Sequence, residues 1–266
     1  MLTILALYLA VGAVAGVLAG LLGIGGGLVI VPMLVFCFGW QGISQTSIMH
    51  VSLGTSMASI IFTSVSSFMA HHRRGAVAWV VVRRIVPGIL IGTFLGTIVA
   101  SRLSTTFLKV FFVLFLYYVA SQMLLNKKTS PSRELPGMAG MFGAGSTIGV
   151  VSSLVGIGGG TLSVPFMVWC NIPLHQAIGT SAAIGFPIAI AGTAGYILNG
   201  WQASGLPPWS WGYIYLPALA GIVGASVLTA PLGVRLAHSL PVARLKRVFA
   251  VLLLLVATRM LWSLWS

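Results

Sequence analysis

The chain has 266 residues, of which 14 are Lys or Arg and one is acidic, giving a formal net charge of +13 and a mean hydropathy of +1.06. Charged residues make up 6%, against about a quarter in soluble domains, too few to solvate a globule of this size, so a water-soluble fold is excluded. The lone acid, Glu134, also excludes carboxylate pairs, carboxylate metal sites and acidic proton relays.

A bilayer core of about 30 Å takes about 20 apolar residues as helix. Runs of that kind fall at Leu2–Leu22, Val51–Ala70, Val77–Val99 and Phe107–Leu125, then at Gly137–Val155, Ala177–Leu198, Tyr213–Leu236 and Val248–Trp265. Two shorter apolar pieces, Leu28–Phe38 and Thr161–Cys170, follow glycine clusters and are too short to cross alone. The first run lacks a basic leader and belongs to a repeated unit, so it reads as structure rather than as a signal peptide. Lys127–Pro136 reads as a soluble linker and divides the chain into 1–126, 127–136 and 137–266. The predicted class is an all-α polytopic membrane protein. Its basic residues cluster between apolar runs, as in membrane loops, rather than forming a nucleic-acid surface.

The chain is internally duplicated. Gly16–Cys37 and Gly149–Cys170 align without gaps with 12 of 22 positions identical, including the pentad GIGGG and the proline five residues beyond it. His50–Ser56 (HVSLGTS) matches His175–Ser181 (HQAIGTS), and Leu108-Lys109 and Met123-Leu124 match Leu245-Lys246 and Met260-Leu261. Three matches in one order indicate structural repeats of the kind common in transporters.

Charge predicts their relative orientation. His71, His72, Arg73 and Arg74, with Arg83 and Arg84 behind them, follow the second long run, whereas the equivalent loop Asn199–Gly212 is uncharged. The second half instead carries Arg235, Arg244, Lys246 and Arg247 one loop later. Under the positive-inside rule, equivalent loops then lie on opposite sides. Two inverted repeats follow, each with four long helices and one short broken or re-entrant helix that turns back at its pentad. The N-terminus is then outside and the linker inside, leaving only Arg102, Lys109 and Arg259 near the outer face. A parallel four-plus-four arrangement is the alternative, and a Cys37–Cys170 disulfide would contradict the inverted one.

Consecutive glycines permit positive φ and bare backbone, and a helix opening after such a loop turns free N–H groups and its positive dipole end toward it. Gly23, Gly25, Gly26 and Gly27, with Gly156, Gly158, Gly159 and Gly160, are therefore candidate anion ligands, tight helix packing being the competing reading. Gly88, Gly92 and Gly96 read as packing glycines. Pro32 and Pro165 mark helix kinks. The hydroxyls of Thr55, Ser56, Thr180 and Ser181 either face a substrate or bond back to their own helices. His50 and His175 stand at helix mouths as structural residues or proton-sensitive gates, while His71 and His72 read as part of a basic interfacial loop. Cys37 and Cys170 read as apolar fillers, and Trp40, Trp201, Trp209, Trp211, Trp262 and Trp265 as an interfacial belt.

The paired GIGGG-x4-P elements, each followed by a GTS helix start, resemble the TauE/SafE family of membrane transporters over nearly the whole chain. That resemblance implies a bacterial inner-membrane protein that exports sulfite, organosulfonates or related anions, and carries a binding role to the matching glycines, threonines and serines above. The leading expectation is a secondary transporter of a small sulfur-containing oxyanion, working by alternating access between the pentads. A passive anion channel is the runner-up. No cofactor and no metal are called for, an enzyme lacks its acidic and metal-binding partners, and the expected partners are a small anion and the lipid bilayer, with a homo-oligomer compatible.

Overall fold

A computed structural model describes residues 2–23, 25–125, 134–239 and 242–263. The linker expected at 127–136 lies largely outside them, as does Trp265. Among the described residues ten helices follow one another: α1 (Leu2–Leu22), α2 (Gly27–Trp40), α3 (Ile48–His72), α4 (Trp79–Arg102), α5 (Thr105–Leu125), α6 (Met138–Val155), α7 (Gly160–Trp169), α8 (Leu174–Gly200), α9 (Leu216–Ser239) and α10 (Val242–Trp262). Seven of these are long and apolar enough to cross a membrane, and α2 and α7 are the two short apolar helices. The protein is thus an all-α multi-pass membrane protein. One departure lies before α9, where Ser210–Trp211 (β1) and Ile214–Tyr215 (β2) pair as an antiparallel hairpin. The predicted run from Tyr213 therefore begins as helix only at Leu216.

α1 and α2 run in opposite directions. Gly26, just before α2, lies beside Ala15, and Gln41, just after it, donates from Nε2 to Tyr8 Oη at 2.6 Å, near the start of α1. The chain therefore turns back at the first pentad. α1 then lies along α9 in the same direction, with Gly12 against Ile222, Gly16 against Ser226 and Gly20 against Ala230. The same packing recurs between α4 and α6, where Gly88, Gly92 and Gly96 meet Phe142, Ser146 and Val150. Small residues at four-residue spacing let transmembrane backbones approach closely, as expected for the α4 glycines.

α3 and α8 occupy the centre and are antiparallel: Gly54 meets Tyr196 and Met57 meets Gly192. α3 is the most enclosed of the long helices yet rich in hydroxyls, which it tolerates by back-bonding. Ser52 Oγ donates to Ile48 O, Ser59 Oγ to Ser56 O and Thr63 Oγ1 to Ser59 O. On the periphery Leu95, Leu114, Leu228 and Leu255 point outward, where lipid chains would cover them. Trp40, Trp201, Trp209, Trp211 and Trp262 are exposed at or near helix ends, as an interfacial belt requires. Cys37 and Cys170 are buried and not joined to one another.

Candidate functional site

The two pentads cap α2 and α7 in the same way. Gly26 precedes α2 at φ 80°, ψ −11°, and Gly159 precedes α7 at φ 75°, ψ −6°, a left-handed conformation that costs other residues energy. The N–H groups that open each helix, at Gly27, Leu28, Gly160 and Thr161, have no carbonyl one turn earlier in their own helix. They sit at the positive end of the helix dipole. Pro32 and Pro165 lie inside these helices.

The pentads also touch. A methyl group built on Gly25 would lie 3.1 Å from Gly158 Cα, and one on Gly27 would lie 2.9 Å from Ile157 Cα and overlap the Gly156 carbonyl oxygen. Gly25 and Gly27 of the first pentad thus meet Gly158 and Gly156 of the second. Beside Gly23 and Gly25 is a narrow crevice, also lined by Ala19, Ser64, Ser67, Ala182 and Gly185, with no room for a water molecule in this conformation. Aligning the halves puts Met57 opposite Ala182 and Ile60 opposite Gly185. In the second half the Met57 sulfur lies 3.0 Å from a methyl group built on Gly192, the counterpart of Ser67.

The GTS triplets join one half to the other. Ser56 Oγ donates to Gly156 O at 2.7 Å, and Ser181 Oγ donates to Gly23 O at 2.9 Å. Thr55 Oγ1 accepts from Tyr215 N–H and Thr180 Oγ1 from Ala78 N–H, each at 2.9 Å. Gly54 and Gly179 let the carbonyls of Tyr213 and Ala76 approach. All four hydroxyl residues are fully buried. The sequence offered substrate contact or back-bonding for these groups; in this conformation each bonds across the halves instead. Removing a serine hydroxyl strands a buried carbonyl, so Ser56→Ala and Ser181→Ala should each destabilise the protein by about 1 kcal/mol. Unfolding in an SDS titration measures this, and unchanged midpoints would show these bonds to be dispensable.

The histidine pair does not share an environment. His50 is buried, bonds through Nε2 to Ala100 O at 3.1 Å, and stacks on Tyr213 with ring centroids 5.1 Å apart. His175 is exposed. Neither lines the crevice beside the pentads. His71, expected in a basic loop, is instead buried in the last turn of α3, its Nε2 bonded to Gly20 O at 3.0 Å. Its counterpart Tyr196 bonds Ser153 O at 2.8 Å, and Gly20 and Ser153 are themselves equivalent positions. Carrying the HVSLGTS alignment along both helices would have revealed this substitution. His72 does lie at the surface, its Nδ1 accepting from Trp79 Nε1 at 3.2 Å.

Residues 8–260 match the family described as sulfite exporter TauE/SafE. A probable membrane transporter protein of Haemophilus influenzae is 40% identical over 98% of this chain and 99% of its own length. A probable membrane transporter protein of Xylella fastidiosa is 28% identical over 96% and 94%, and the Bacillus subtilis protein YunE, also a probable membrane transporter, is 29% identical over 75% and 82%. No solved structure shows a significant match.

Proposed function

The chain belongs to the sulfite exporter TauE/SafE family of membrane transporters rather than enzymes, and we propose that it exports a small sulfur-containing oxyanion by alternating access around the paired pentads. The observation that carries this reading is the meeting of two left-handed glycine turns, each opening a helix, at the centre of the protein. Helix N-termini attract anions without any charged side chain. Non-helical backbone at membrane depth persists where protein buries it or a cavity needs it. With Glu134 the only acid in the chain, a cation would find no carboxylate to replace its water, and carboxylate-borne proton coupling is absent.

Residues 1–126 and 137–266 are the two units of this reading, as inverted repeats. Two observations support it: α1 lies along α9 as α6 lies along α4, and the equivalent helices α3 and α8 run in opposite directions. The orientation follows from charge. Arg74 Nη1 donates to Val234 O at 2.9 Å, so the basic end of α3 stands beside the end of α9 that carries Arg235. That end faces the cytoplasm of a bacterial cell under the positive-inside rule, with the N-terminus outside.

Purified protein in proteoliposomes should show saturable uptake of sulfite, thiosulfate or sulfoacetate with counterflow, and little uptake of sulfate or chloride. Absence of flux for every sulfur anion would overturn the proposal. Ohmic single-channel currents would establish the passive anion channel instead, since the same dipole-lined path would serve it.

A further inference from the structure

The pentads are duplicated, but their surroundings are not. Ser152, on α6, is fully buried, and its Oγ lies 3.2 Å from a methyl group built on Gly159, the residue that caps α7. That hydroxyl oxygen is enclosed and has no hydrogen-bond partner among the described residues. The hydroxyl oxygen of Thr161, in the first turn of α7, is enclosed and unpartnered in the same sense. A hydroxyl in the interior almost always finds a partner, and leaving one without is unfavourable.

In the first half the equivalent positions are Ala19 and Leu28. The unfavourable arrangement therefore occurs twice around one pentad and at neither matching position of the other. Both hydroxyls adjoin the start of α7, a ten-residue helix whose opening N–H groups point the same way along the chain, toward the pentad. From this we infer that the transported anion is held asymmetrically, at the second pentad, by the Ser152 and Thr161 hydroxyls together with the first N–H groups of α7. The inference rests on the anion-transport reading above and narrows its site. Hydroxyl and amide donors drawn from two helices suit an anion that presents several oxygens, such as sulfite or a sulfonate, better than a spherical halide.

The test uses the full-length protein in proteoliposomes with 35S-sulfite. Ser152→Ala and Thr161→Val should each raise KM about tenfold with little change in the maximal rate. Thr147→Val, which removes an exposed hydroxyl of α6 bonded to Gly143 O, should leave KM within about twofold of wild type. Because the Ser152 hydroxyl makes no bond among the described residues, Ser152→Ala should unfold no earlier than wild type, whereas a structural hydroxyl would lose stability along with flux. Unchanged KM in both loss-of-hydroxyl variants overturns the inference while leaving the transport reading intact, and so does earlier unfolding of Ser152→Ala that accounts for its lost flux. Should wild-type protein move no sulfur anion at all, the transport reading fails, and this inference fails with it.

Discussion

Alanine at Gly27 is expected to destabilise the protein by about 3 kcal/mol, the upper part of the range for overpacking. A methyl group there would overlap the Gly156 carbonyl oxygen and lie 2.9 Å from Ile157 Cα. Both obstacles are backbone, held by the second pentad and by the Ser56 bond to Gly156 O, so neither can swing aside as a side-chain tip would. The control lies in the same helix. A methyl group on Gly39 meets nothing within 4 Å, so Gly39→Ala should stabilise the protein by about 0.5–1 kcal/mol through helix propensity alone. The two substitutions are chemically identical and opposite in expected sign. Unfolding midpoints in an SDS titration compare them directly, and equal shifts would show that the close approach of the pentads is not part of the folded state.

The second large effect concerns the helix pairs. A leucine at Gly16 must begin with a Cβ only 2.8 Å from Ser226 Cα, and one at Gly92 with a Cβ 2.6 Å from Ser146 Cα. Either wedge should force its pair apart and cost more than about 3 kcal/mol, enough to deplete folded protein in a marginally stable chain. Gly143→Leu, on the exposed face of α6 with open space around it, should be tolerated. Fluorescence-detected size exclusion of the three variants measures the yield of monodisperse protein. Wild-type yield from Gly16→Leu would overturn the assigned α1–α9 contact. Because the two contacts recur with the halves exchanged, the losses at Gly16 and Gly92 should also be alike.

The features legible in the sequence were those set by local chemistry and by repetition. Apolar run length located the long helices, and GIGGG marked the turns, because a left-handed cap needs glycine and leaves that trace. The GTS triplets illustrate what was not legible. Their duplication singled them out, but a buried serine is equally suited to a ligand, its own helix or a distant carbonyl. Only the fold brings Ser56 to Gly156 and Ser181 to Gly23. The boundary at Tyr213 was misread for a similar reason. Its residues are apolar enough for helix, yet the strand pairing of Ser210 with Tyr215 and the Thr55 bond to Tyr215 N–H hold them extended. His71 looked like part of a basic run because its partner, Gly20 O, is 51 positions away. The cross-half pairing of α1 with α9 leaves no local signature, since glycine at four-residue spacing announces a close neighbour without naming it.

That pairing has a consequence for how the protein is made. Thr229 on α9 donates to Ala13 O on α1 across 216 residues of chain. At a synthesis rate of 5–20 residues per second, α1 is therefore complete about 10–40 s before α9 exists to cover it. Throughout that interval the face bearing Gly12, Gly16 and Gly20 must rest against lipid or a passing chaperone. Its lack of polar side chains makes such a wait tolerable, because a helix satisfies its own backbone bonds in the bilayer. α1 is thus made long before the helix that covers it.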